Sequence, residues 1–195
     1  LPAFRDFCPD QLLGAKQTAG IGQVAILFSD LEKSTALYES IGDASAYALV
    51  VAHFEFIEKR VRKHGGVVVK TIGDAVMAAF SDSEAALRAA IDVQRDIPEF
   101  NAPNDRPDLK LKIGIHEGTC VAMRSDQGLD FFGSTINLAA RLQSKAAGGE
   151  IVLSKELART DLPKVYSQSD LVWDKASLSG FDMPVEFARL LCSTA

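Results

Sequence analysis

Asp30 closes an apolar run, Val24-Ala25-Ile26-Leu27-Phe28, and stands directly before Leu31-Glu32-Lys33-Ser34-Thr35. Asp74 follows Gly73 between two further apolar runs, Val67-Val68-Val69 and Val76-Met77-Ala78-Ala79-Phe80. Each has an ordinary structural explanation, a helix N-cap for Asp30 and a turn aspartate for Asp74. Together they say more. A strand end and a hairpin tip on one sheet can bring two carboxylates close, where they repel unless a cation lies between them. Hard oxygen ligands favour Mg²⁺. The turn after Asp30 leads into a helix start, whose backbone N–H groups offer an anion site around Lys33, Ser34 and Thr35. Two carboxylates beside a phosphate-sized cradle point to a metal-bound nucleoside triphosphate.

Asn137 and Arg141 are four residues apart after Gly133, so they share one helix face. Their neighbours Ile136, Leu138, Ala139, Ala140 and Leu142 are apolar almost all the way round. Such a helix is expected to be buried or at an interface, where Arg141 needs an anionic partner. That partner is either a carboxylate in a structural ion pair or a phosphoryl oxygen, which suits the planar guanidinium fork. Lys70 ends Val67-Val68-Val69-Lys70, and Asp130 precedes Phe131-Phe132-Gly133; singly, they read as a solvated strand-end lysine and a loop aspartate. His116 reads as a strand-end histidine, and His53 and His64 as residues of a helix surface.

The elements that must position these side chains follow from hydrophobic periodicity. Residues 1–23, punctuated by Gly14, Gly20 and Gly22, read as a lead-in segment or linker remnant, with order beginning at Val24. Two helical stretches divided by Gly42-Asp43 come next, the second placing Tyr47, Val50, Phe54, Ile57 and Val61 on one stripe. A hairpin is expected around Ile72-Gly73-Asp74, then a helix capped by Ser81-Asp82-Ser83 with Ala86, Ala90, Val93 and Ile97 inward. Asn101 to Asp108 reads as a loop. Leu111 to His116 and Thr119 to Met123 read as a strand pair around Glu117-Gly118. A helix from Ser134 to Lys145 and strands at Ile151-Leu153, Leu171-Trp173 and Val185-Leu191 complete the pattern. This is an α+β arrangement, its sheet largely antiparallel and covered by helices.

The 195 residues suffice for one core, and 47% hydrophobic with 24% charged residues is a globular balance. A formal charge of −5 leaves no basic surplus for nucleic acid, and no apolar run approaches a membrane span. Cys8, Cys120 and Cys192 lie far apart, without disulfide or zinc spacing, so a cytoplasmic setting is expected. A start at Leu1-Pro2, with no methionine and no signal pattern, suggests a piece cut from a longer chain.

Four stretches in order carry a resemblance. They are Phe28-Ser29-Asp30-Leu31-Glu32-Lys33-Ser34-Thr35, Val69-Lys70-Thr71-Ile72-Gly73-Asp74-Ala75-Val76-Met77, Ile113-Gly114-Ile115-His116, and Asp130-Phe131-Phe132-Gly133 continuing through Asn137 and Arg141 to Leu142. With them the sequence resembles the catalytic domain of the class III adenylate/guanylate cyclases over residues 24–192, which implies a ferredoxin-like α+β core. The resemblance implies that Asp30 and Asp74, with the Leu31 carbonyl, hold two Mg²⁺ or Mn²⁺ ions. One would activate the ribose 3′-hydroxyl and the other would bind the leaving pyrophosphate. It implies that Asn137 orients the ribose, that Arg141 meets charge growing on the α-phosphate, and that Lys70 and Asp130 read the purine.

A lysine donating to adenine N1 and an aspartate accepting from the N6 amine would reject guanine, whose polarity is opposite at both points. The expected activity is therefore conversion of ATP to 3′,5′-cyclic AMP and pyrophosphate. The alternatives are a guanylate or dual-specificity cyclase and a catalytically silent nucleotide-binding dimerisation module. A homodimer with sites shared between subunits is expected, and so is a regulatory domain N-terminal to this segment. Two positions depart from the family's pattern. Lys33 stands where a small residue, commonly glycine, is usual, and Ser179 where many members carry a phosphate-binding lysine.

Overall fold

The computed structural model describes residues 18–103, 108–125, 128–160 and 171–192. Strand β1 (Thr18–Leu31) leads into helices α1 (Ser34–Ile41) and α2 (Asp43–Lys63). Then come β2 (Val67–Ile72), β3 (Ala75–Phe80), α3 (Ser83–Asn101), β4 (Leu111–Ser125), β5 (Gly128–Phe132) and α4 (Ser134–Gln143). The chain continues with β6 (Glu150–Ser154), α5 (Lys155–Thr160), β7 (Leu171–Ala176) and β8 (Val185–Leu191). The eight strands form one sheet in the order β2-β3-β1-β4-β6-β8-β7, with β5 added beside β4. Only β4 and β6 run parallel. The α+β, largely antiparallel architecture expected from the sequence is the one observed.

Strict alternation along β1 and β3 explains why helices cover both faces. Ala25, Leu27 and Leu31 with Val76, Ala78 and Phe80 enter one core, shared with buried residues of α2 and α3. Val24, Ile26 and Phe28 with Met77 and Ala79 enter the opposite core, under Ala139 of α4. The capping and turn signals hold. Asp82 accepts from the Ala85 N–H at 2.8 Å, and Gly73 turns the β2–β3 hairpin at φ 63°. Ala86, Ala90, Val93 and Ile97 are all buried.

Four expectations need correcting. The first strand reaches back to Thr18, before the expected start at Val24, because Thr18–Gln23 pair with Arg124–Thr119; residues before 18 lie outside the described ones. Glu117-Gly118 is not a turn: β4 runs straight through it, paired to Ala25 and Val24 of the 14-residue β1. On α2 the buried stripe is Ala46, Leu49, His53, Phe56, Ile57 and Val61, and Tyr47 is 74% exposed. His53 is therefore a core residue and not a surface one. His64 is half-buried, its Nε2 2.8 Å from Asp92 Oδ2, which also takes Lys63 at 2.6 Å and ties α2 to α3.

One close approach fixes α4 on the sheet. A Cβ at Gly114 would lie 2.1 Å from the Gln143 backbone nitrogen, so only glycine lets strand and helix meet there. Thr135 donates to the Thr119 carbonyl at 2.6 Å and pins the helix start. These contacts set which way Asn137 and Arg141 point.

Candidate active site

Asp30 is not a helix cap. The helix after it starts at Ser34, and the capping position is Lys33, whose side chain makes no capping bond. Asp30 Oδ2 instead pairs with Lys112 on the neighbouring strand at 2.8 Å and accepts from Gln143 Nε2 at 3.3 Å. Asp74, at the hairpin tip, makes no ion pair among the described residues, and its Oδ2 is buried without a hydrogen-bond partner. Both carboxylates act on the same two neighbours. They raise Tyr38, whose hydroxyl is pushed up to about 12 by burial first and by Asp74 next. They also oppose the shift at His53, which burial holds down to about 4. Burial wins at His53, so its wholly enclosed imidazole is neutral and donates no charge to the site.

Among the described residues no group of three or more His, Cys, Asp and Glu side chains could hold a metal alone. The donor set at hand is two carboxylates, one of them carrying a desolvated oxygen without a partner. An anionic oxygen left in that state is costly, and a cation arriving there removes the cost. The residues present fit a divalent ion whose remaining ligands come from backbone carbonyl, water and phosphate, the mode Mg²⁺ favours.

Lys33 has the left-handed backbone, φ 55° and ψ 35°, and is the one non-glycine residue with positive φ among those described. That conformation costs a side-chain-bearing residue about 1–2 kcal/mol, which explains why glycine suits the position. Lys33→Gly is expected to stabilise the fold by about 1 kcal/mol while raising the KM for nucleotide, since it removes a cation beside the helix start. Denaturant melts and initial rates read the two effects separately. Ser34 is half-buried and Thr35 exposed at the start of α1.

The two residues expected to read the purine, Lys70 and Asp130, meet within one chain. Lys70 Nζ lies 2.7 and 2.9 Å from the two Asp130 oxygens, although 60 residues separate them. A bulge between Val68 and Lys70 in β2, together with the pairing of Met123 to Asp130 in β5, produces the encounter. Lys70 is thus inside β2 rather than at its end, and Asp130 is on a strand that the sequence pattern did not reveal. Both side chains keep over a third of their surface exposed, 41% and 37%, so the pair is open to a ligand.

Of the two placements expected for this helix, burial and an interface, the single chain bears on the first, and it buries α4 on one side only. Thr135, Ala139 and Leu142 are buried, whereas Asn137 and Arg141 face solvent. Arg141 has no anionic partner among the described residues. Gln143, which touches Asp30, is two positions further on, roughly 200° around the helix at 3.6 residues per turn. The face bearing Arg141 therefore points away from Asp30 of the same chain. The structure brings Lys70 to Asp130 and sets Asp30 and Asp74 around Tyr38 and His53, and it leaves Asn137 and Arg141 apart. Three neighbours escaped the sequence reading: Lys112, Gln143 and Tyr38. Alternation along β4, which sets Lys112 between core residues Leu111 and Ile113, was the one signal available for any of them.

The family model for the adenylate and guanylate cyclase catalytic domain matches residues 17–172. A Mycobacterium tuberculosis protein is 36% identical over 171 residues, which are 88% of this chain and 40% of that protein. The adenylate cyclase of Mycosarcoma maydis is 33% identical over 160 residues, 71% of this chain and 6% of its own length. Among solved structures, the adenylyl cyclase CyaB from P. aeruginosa superposes with a TM-score of 0.75 at 23% identity, covering 90% of this chain and 96% of that one. The chain thus spans less than half the length of these curated relatives.

Proposed function

This chain belongs to the adenylate and guanylate cyclase catalytic domain family, and from that premise we propose that it converts ATP to 3′,5′-cyclic AMP and pyrophosphate. The observation that carries the choice of ATP is the Lys70–Asp130 pair, at 2.7 Å and open to solvent. A donor beside an acceptor matches adenine N1 and its N6 amine, and meets guanine with donor against donor and acceptor against acceptor. Supplied with ATP or GTP and Mn²⁺ or Mg²⁺, the pure protein is expected to yield cyclic AMP from ATP. Equal or greater yield of cyclic GMP from GTP would overturn the reading.

Asp30, Asp74 and the Leu31 carbonyl would hold the two divalent ions. Bound there, they supply a more acidic ribose 3′-hydroxyl and charge compensation on the pyrophosphate. The remaining work falls to this chain's side chains. The start of α1, at Lys33 to Thr35, receives phosphate oxygens on its unbonded N–H groups. Lys112, paired with Asp30 at 2.8 Å, would be freed for a phosphate oxygen if a cation took its place, a charge to set against Ser179 standing where many members have a lysine. Asn137 holds the ribose so that the 3′-oxygen lies in line with the α-phosphorus. As the new P–O bond forms and the bond to the bridging oxygen breaks, Arg141 meets the charge growing on the α-phosphoryl oxygens.

Because Arg141 faces away from Asp30 of its own chain, the complete site takes Asp30 and Asp74 from one protomer. Lys70, Asp130, Asn137 and Arg141 come from its partner in a two-fold homodimer. Arg141→Ala is then expected to lower kcat by ~10²–10³ with little change in KM. Steady-state kinetics decide it: an effect confined to KM would make Arg141 a ground-state phosphate anchor.

A further inference from the structure

The last turns of α3 border a cavity of about 440 Å³, whose other walls are the start of β4, the Gly148-Gly149 turn before β6 and the end of β8. That volume falls within the roughly 300–1,000 Å³ of small-molecule sites. Ile97, Pro98, Leu109 and Leu191 give it an apolar lining. Asp108 and Lys110 also line it and are exposed, one of each sign, so no net charge there selects an ion.

Gln94 is the polar group in this lining that the fold leaves unsatisfied. It is 2% exposed, and its Nε2 donates to the Leu111 and Glu150 carbonyls at 2.9 and 3.1 Å, which fixes the arm of the amide that carries oxygen. That oxygen is buried and accepts from nothing. Pro98, four residues further along α3, has no N–H, so the helical bond to the Gln94 backbone carbonyl is not made either. A buried acceptor without a donor is costly, and a donor entering the cavity removes that cost. We propose that the cavity binds a small, uncharged, largely apolar molecule carrying one N–H or O–H group, which donates to Gln94 Oε1.

This site is separate from the nucleotide site but bonded to it. Glu32, two residues after Asp30, donates its backbone N–H to the Lys110 carbonyl at 2.8 Å and accepts from the Gly148 N–H at 3.0 Å. Lys110 and Gly148 both line the cavity. An occupant therefore bears on the strand end that presents Asp30, which makes it an effector of the reaction; this link alone rests on the metal reading above.

Indole, two fused apolar rings with one N–H, is the probe, and 1-methylindole is its match without the donor. In calorimetric titrations of the pure protein, indole is expected to bind saturably at one site per chain, about tenfold more tightly than 1-methylindole, the scale of one buried hydrogen bond. Leu191→Trp, at a position 59% exposed, places a large side chain at the cavity and is expected to abolish indole binding with an unchanged melting temperature. No saturable binding, equal affinity for the two probes, or full affinity in Leu191→Trp would each overturn the site. The probe comparison needs no variant, so it decides the matter even where Leu191→Trp folds poorly. The link is read by repeating the indole titration with Mn²⁺ and 3′-deoxy-ATP bound, where the affinity is expected to shift about fivefold or more. An unchanged affinity would remove the effector role. A protein that binds no Mn²⁺ with 3′-deoxy-ATP would overturn the metal reading, and the link with it.

Discussion

Asp74→Ala is expected to lose at least ~10³-fold in turnover while melting at or slightly above the wild-type temperature. Metal-borne charge stabilisation is worth several kcal/mol in the transition state, and about 1.4 kcal/mol is a factor of ten in rate. Stability should not follow activity, because the lost group is a carboxylate with a buried, partnerless oxygen and no counterion among the described residues. Asp30→Ala should be equally inactive for the same reason, but its stability differs. It strands Lys112, which pairs with Asp30 at 2.8 Å with 22% and 26% of the two side chains exposed. Losing that pair costs up to about 1 kcal/mol. Two variants that are equally dead yet melt differently would tie the loss to the metal and not to unfolding. More than a few per cent of activity in either would remove the carboxylate pair from the reaction.

The second large effect concerns the base. Lys70→Glu combined with Asp130→Cys replaces a donor and acceptor with groups nearer to guanine's needs. Leaving the polar edge of bound adenine unpaired costs about 1–3 kcal/mol per group, so ATP turnover should fall by one to a few orders of magnitude while the fold persists. The fold should persist because the Lys70–Asp130 pair is substantially exposed and contributes little to stability. Parallel initial rates with ATP and GTP check this. An ATP preference surviving the double change would show that neither residue reads the purine.

Local signals in the sequence were dependable where one physical cause dominated. Asp82 before a periodic helix and Gly73 between two apolar runs each did what their type dictates. The apolar run after Gln23 does lie in a strand buried on both faces. Signals failed where a distant partner overruled the local pattern. Glu117-Gly118 looks like a turn, but the full length of β1 holds it extended. His53 is polar by type, yet it lies among core residues of α2, so the expected stripe is off at its start, where Tyr47 is exposed, and right at its end, where Ile57 and Val61 are buried. Asp130 sits on a five-residue strand with only Phe131 buried, which no run of β-formers announced. At the candidate site, the residue types were legible and the family resemblance supplied their roles. The partners were not. Lys112 beside Asp30, and Tyr38 beside Asp74, are products of strand pairing and helix packing, which no spacing along the chain records.

Mixing two inactive proteins, Asp30→Ala and Asn137→Ala, and allowing subunits to exchange tests both cyclic AMP formation and the sharing of sites. In a two-fold dimer each mixed pair has one site with both lesions and one site with none. With half the dimers mixed, cyclic AMP formation from ATP should recover to roughly a quarter of the wild-type rate by symmetry alone. A mixture that stays inactive although the mixed dimer is detected would contradict the shared site and the assignment of Asn137 to the partner's half of it.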